Sequence, residues 1–197
     1  MWYWPLVRSE TVVWRRPGVR AFGRRLLFAV LSLPLALLWF PVLLVGLGVG
    51  VGTAVVFVGL VVLLAVLALA RLLASLERTR ARVLLGAALA DPPPPSGGPW
   101  RALGDGRRWR ELLYLLLALP LGASQGVVVL LLGAMAARGV SYPFVMWGVD
   151  LSTAWGGPTW TGAVLVHSGL GVLAILASPW LLRLVTDAHG WVARRLL

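Results

Sequence analysis

Two long stretches of this chain carry no charge, residues 26–70 and residues 112–137. A hydrocarbon core of about 30 Å takes roughly 20 apolar helical residues per crossing, so the first stretch can cross, turn and return, and the second can cross once. A third stretch, 161–182, is broken only by Thr161, His167, Ser168 and Ser178 before Arg183 closes it. The sequence therefore predicts an all-α, four-helix transmembrane bundle with spans at 26–45, 53–70, 112–137 and 161–182. The first turn is expected in the run Gly46 to Gly52, where every second residue is glycine and reversal is cheap. A phosphate-cradling reading of this run fails, because it needs a preceding strand and a downstream acid.

Composition agrees: 59% hydrophobic residues and a mean hydropathy of +0.88 exceed the apolar half of an ordinary soluble domain. All basic residues are Arg, and the net charge of +11 lies beside the spans, where it reports orientation and headgroup contact rather than nucleic-acid binding. With no Cys, disulfides and thiolate metal sites are excluded. The first apolar run is far longer than a signal-peptide core and is read as retained.

The Arg clusters precede span one, follow span two, precede span three and follow span four. The positive-inside rule then places both termini and the central linker in the cytoplasm of a multi-pass plasma-membrane protein. Four sections follow. Residues 1–25 form a basic segment whose Trp2, Tyr3, Trp4 and Trp14 suit an inner-leaflet anchor. Residues 26–90 form the first hairpin and its exit helix, 91–108 a Pro/Gly/Arg-rich cytoplasmic spacer, and 109–197 the second hairpin with an outside loop at 138–160.

An internal repeat relates the halves. Arg24-Arg25-Leu26-Leu27-Phe28 with Leu33-Pro34-Leu35 aligns with Arg110-Glu111-Leu112-Leu113-Tyr114 with Leu119-Pro120-Leu121. The exit helices align at Arg71-Leu72 and Arg183-Leu184, and the extra residues fall in the outside loop. If both halves start and end inside, the hairpins are parallel repeats about an axis near the membrane normal. Pro34 and Pro120 sit at matching depth as expected helix kinks.

Chemistry is sparse. Gln125 and His167 are the intramembrane polar candidates. His167 and Ser168 point about 100° apart on a helix and cannot form a catalytic dyad, so an interhelical hydrogen bond is the expected role of His167. No Asp or Glu falls within the predicted spans. The pairs Glu77 with Arg80, Glu111 with Arg107 or Arg108, and Asp187 with Arg183 are expected as solvated cytoplasmic pairs of small value. Nothing points to a catalytic set, a metal site or a cofactor. The candidate signal surface is the outside loop, with Arg138, Tyr142, Trp147, Asp150, Trp155 and Trp160, although aromatics there also suit a membrane belt.

The basic pair, Leu-Leu-aromatic, Leu-Pro-Leu, Gly-rich hairpin and exit helix closing in Leu84-Leu85-Gly86 resemble the four-span sensor domain of high-GC Gram-positive bacteria, and the copy from Trp109 to Leu197 resembles it more specifically. The resemblance implies a membrane input module placed before a histidine kinase transmitter or standing alone. His189, in Asp187-Ala188-His189-Gly190-Trp191, is not set in a phospho-acceptor pattern, so a kinase would lie outside this sequence. The expected function is a non-enzymatic sensor that relays a membrane or envelope signal. Its expected partners are membrane lipids, a histidine kinase or other cytoplasmic signalling protein, and a second copy in a homodimer. The alternative is a transporter or permease subunit.

Overall fold

A computed structural model describes residues 18–93 and 98–197. The aromatic cluster at Trp2 to Trp14 and the second half of the proline run, residues 94–95, lie outside the described residues. The described chain forms α1 (Val19–Gly52), α2 (Val58–Leu85), the single turn α3 (Arg101–Gly104), α4 (Gly106–Val145) and α5 (Trp160–Leu196), with one 3-10 turn at Ala54–Val56. Four of these helices are long and apolar enough to cross a membrane, and their apolar windows are mostly unburied. This is a membrane protein with a helical-bundle fold.

The helices outrun the apolar stretches. α4 has 40 residues and α5 has 37, about 60 and 55 Å at 1.5 Å per residue, because each apolar stretch continues without a break into an Arg-bearing extension. Their starts are capped: Asp105 accepts from the Arg107 amide at 3.0 Å and Thr159 from the Gly162 amide at 3.2 Å, satisfying donors a helix leaves free.

The first turn is displaced from the glycine run. α1 stays helical through Gly52, and the chain reverses over residues 53–57, so α2 begins at Val58 rather than Thr53. The glycines serve close packing instead. A Cβ on Gly46 would stand 2.6 Å from Val66, and one on Gly59 would stand 2.3 Å from the Gly50 carbonyl oxygen. At the other tip α4 runs on to Val145 and α5 starts at Trp160, leaving residues 146–159 as the connection.

The hairpins pack head to tail. Phe22 and Leu26 of α1 share a cavity with Val129 and Gly133 of α4, Gly122 abuts the Ser32 backbone, and Trp39 and Leu43 cluster with Leu112 and Leu115. As residue numbers rise on α1 they fall on the α4 face opposite, so these helices are antiparallel. α2 and α5 show the same relation, with Leu85 beside Gly190 and Arg78 reaching the Leu197 carbonyl. The tips at 53–57 and 146–159 therefore lie at opposite ends, which corrects the expectation of parallel hairpins.

The linker supplies the reason. Gly86 closes α2 at φ +67°, where glycine has no Cβ penalty, and its amide returns to the Arg82 carbonyl as in an αL cap, with the Ala87 amide on the Ala81 carbonyl. Residues 86–93 then double back along α2. Arg82 holds the Leu89 carbonyl at 2.9 Å and Asp91 at 2.6 Å, and Arg71 holds the Pro93 carbonyl at 3.0 Å. α4 consequently starts beside the middle of α2 and runs in the same direction. Small residues make the closest approaches: Gly139 on Gly171 and Gly122 on Ser32, with Gly126 against Leu33. A Cβ on Gly133 or Gly169 would meet no neighbour within 4 Å.

Candidate functional site: a buried polar layer

Each of the four long helices carries one stripe of buried residues at three- and four-residue spacing, the face a helix turns to its neighbours. On α4 the stripe is Glu111, Tyr114, Ala118, Gly122 and Gln125, and on α5 it is Leu182, Thr186, His189 and Ala193. α1 contributes Phe28, Ser32 and Ala36, and α2 contributes Ala74, Glu77, Arg78 and Ala81. Where the open ends of the hairpins interlock, the polar members of these stripes meet.

His189, fully buried, is the hub. Its Nδ1 lies 2.9 Å from Gln125 Nε2, and its Nε2 lies 2.9 Å from the Tyr114 hydroxyl. Tyr114 donates to Glu77 at 3.2 Å, and Arg80 donates to the same carboxylate oxygen at 2.8 Å. Arg80 also reaches the Ser32 hydroxyl at 3.3 Å and lies 4.2 Å over the Phe28 ring, whose edge-to-face contact with His189 closes the circuit. One step along, Arg78 donates to Glu111 at 2.5 Å and to the Leu197 carbonyl at 3.1 Å. Arg25 bridges α1 to α5 through Thr186 at 2.5 Å and Asp187 at 2.6 Å.

Three expectations are corrected here. Glu77 does pair with Arg80, but neither Glu77 nor Glu111 is solvated: both are 1% exposed. Glu111 pairs with Arg78, while Arg108 turns to Asp105. Asp187 does lie near Arg183, at 3.7 Å, yet its shorter partner is Arg25. His189, set aside because it lies in no phospho-acceptor pattern, is fully buried, whereas His167 is only partly so. The cause is common to all three: the exit extensions are not free cytoplasmic helices but half of the interlocked section. Charges taken from water this completely need partners to be tolerated: Arg78 and Glu111 find each other across a helix boundary, while Glu77 and Arg80 pair within α2 and reach Tyr114 and Ser32 beyond it.

Gln125 belongs to this layer, with no exposure and a second contact to the Val185 carbonyl at 3.4 Å. His167 lies elsewhere. Its ring nitrogen meets the Ala163 carbonyl of its own helix at 2.9 Å, and its interhelical contact is a stack on Tyr142 at 3.9 Å, with Arg138 5.5 Å from that phenol ring. The interhelical hydrogen bond comes instead from Ser168, which donates to the Gly139 carbonyl at 2.8 Å. Pro34 and Pro120 sit inside α1 and α4, which continue through them.

At the second tip, Trp147, Asp150 and Trp160 line an open groove of about 700 Å³ with Leu151 and Pro158, and the two indoles meet edge to face at 5.0 Å. Asp150 is held in its own turn by the Ser152 amide and hydroxyl. Trp155 is exposed and not part of the groove. In the linker, the hydrogen bond from Arg82 holds the Asp91 carboxyl below its ordinary range.

The profile of the "Putative sensor" family matches residues 28–197. The chain belongs to that family. The matched region contains the whole hydrogen-bonded layer except Arg25, as well as both hairpin tips. No curated protein and no solved structure matches the chain.

Proposed function

We propose that this chain is a non-enzymatic sensor module of the plasma membrane, relaying a membrane or envelope signal to a cytoplasmic signalling protein such as a histidine kinase. The observation that carries the reading is the layer itself: one hydrogen-bonded unit holds the open ends of both hairpins together. Family membership points the same way. The Arg-bearing ends and the extended linker, with its peptide groups outside any helix, belong outside the hydrocarbon, and the positive-inside rule assigns that face, with both termini, to the cytoplasm.

In the packed arrangement the apolar tips leave the layer in opposite directions. Seating both in one bilayer from the same face requires the hairpins to swing about the layer, so packed and side-by-side arrangements are the two states a signal selects between. The groove at Trp147 and Trp160 suits an amphipathic ligand of the outer leaflet, and it would act by favouring one state. A transporter reading has less support, because the polar layer does not continue into either apolar tip.

The test places a photo-crosslinking residue at Arg194 or Arg195 in growing cells. Capture of a histidine kinase or response-regulator partner that changes under envelope stress is the expected result. Substrate flux in proteoliposomes with no such capture would overturn the proposal in favour of a permease.

A further inference from the structure

We infer that His189, with Gln125, forms a proton-operated latch at the junction of the hairpins: both sit in the second hairpin, and the Phe28 contact with the His189 ring and the Tyr114 bond to Glu77 couple them to the first. This rests on the sensor reading only for what the released segment acts on. The hydrogen-bond directions define the latch. The single hydroxyl proton of Tyr114 goes to Glu77, so the Tyr114 oxygen accepts from His189 Nε2–H, and His189 Nδ1 is left to accept from the Gln125 amide nitrogen. The ring is thus held neutral, in one tautomer, by partners on both sides.

Gln125 Oε1 is buried without a hydrogen-bond partner. It is the acceptor the second state requires. A proton added to Nδ1 turns that nitrogen from acceptor to donor, and two N–H groups would then face each other. Turning the amide over brings Oε1 onto Nδ1–H and takes the amide nitrogen away from the Val185 carbonyl.

The new positive charge enters a crowded field. α1 presents Arg25 and the Phe28 ring; α2 presents Glu77 and Arg80, with Arg78 one step along; α4 presents Tyr114 and Glu111; and α5 presents Arg183, Asp187 and Arg194 beside the hub. Glu77, linked to the ring through the Tyr114 hydroxyl, is already committed to Arg80 and Tyr114. The flipped amide keeps α4 and α5 joined, whereas the new charge is set against Arg80 and Arg25 of the first hairpin, so protonation loosens α5 from that hairpin and frees the segment 186–197.

The chain has two histidines and no Cys, which makes the test direct. In nanodiscs, ¹⁵N spectra of the His167→Gln protein report the His189 tautomer and its titration, while spin labels on Cys introduced at exposed Leu76 and Leu184 report the distance between hairpins. The expected result is an Nε2–H tautomer at neutral pH and a distance change with the same midpoint as the His189 titration. Gln125→Glu, whose carboxylate can only accept and therefore favours the Nδ1–H of the protonated ring, should raise that midpoint by one pH unit or more. An Nδ1–H tautomer, a titration without a distance change, or a pH-dependent distance that persists in His189→Asn would overturn the latch. Loss of partner capture with the coupled titration intact would instead remove the sensor reading and leave the latch standing.

Discussion

The buried layer and the aromatic tip of the second hairpin are both polar interruptions of an apolar molecule, yet they are built in opposite ways. The tip takes its residues from one continuous segment, and Asp150 is satisfied by a residue two positions away. The layer takes its residues from four helices, and Arg25 finds Asp187 across 162 positions of chain. The tip is a local structure that needs nothing beyond its own hairpin. The layer exists only when the hairpins interlock, so it can report whether they do.

The sharpest way to break this comparison is to test the interlocking. Cys introduced at Leu26 and Gly133, which line the same cavity, should be joined by a short bifunctional maleimide in membranes. The pair at Leu27 and Leu113, equivalent positions of the repeat and both exposed, should not. The reverse pattern would restore the parallel arrangement and dissolve the layer as a unit.

Next in size is the Arg78–Glu111 pair. Breaking a buried ion pair from one side costs about 3–5 kcal/mol, whereas replacing both partners by well-packed apolar residues is often neutral or stabilising. Arg78→Met or Glu111→Leu alone should produce that loss in denaturant titrations of the micelle-bound protein, and the double variant should recover most of it. Single losses under about 1 kcal/mol would match a solvated pair.

Glycine positions separate packed from open faces. Gly139→Leu would force a side chain into the Gly171 backbone, since even a Cβ there would lie 2.5 Å from the Gly171 Cα. The expected loss is about 1–3 kcal/mol or more. Gly169→Leu, with no neighbour within 4 Å, should change stability by only about 0.5 kcal/mol. Similar losses at both positions would mean that α4 and α5 approach along a different face.

These cases show how much of the molecule was readable beforehand. Four apolar helices follow from uncharged length alone, because a bilayer imposes length directly. The tip was visible because its aromatics are adjacent in sequence. The layer was hidden because the Arg residues beside the spans serve equally as markers of orientation, and the acids among them serve equally as solvated pairs. Its signal was nonetheless present in the phase of the stripes: Glu111, Tyr114 and Gln125 are spaced by three and eleven residues, the same face as Ala118 and Gly122. Carrying the stripe of small residues past the end of each apolar stretch would have found Glu77 and His189. Head-to-tail packing had no such signal, since it depends on the Arg82 and Arg71 contacts that fold residues 86–93 back along α2.

The change that most separates the two regions comes from the tip. Replacing residues 146–159 with a short Gly-Ser turn removes the groove and the contact between Trp147 and Trp160. The stack of Tyr142 on His167 and the Ser168 bond to Gly139 lie within α4 and α5 and remain. Apart from Leu151, buried against Tyr142 and Ala163, the segment is exposed or half-buried, so the loss should be limited to about 1–3 kcal/mol for that side chain, and the Leu26 to Gly133 crosslink should still form. The response of the associated pathway should be lost, because a ligand shifts an equilibrium only through differential contacts with the two states, and the groove is where those contacts would be made. If the response survives with the tip removed, the groove is a membrane-surface anchor. The signal must then enter through the helices and reach His189 directly.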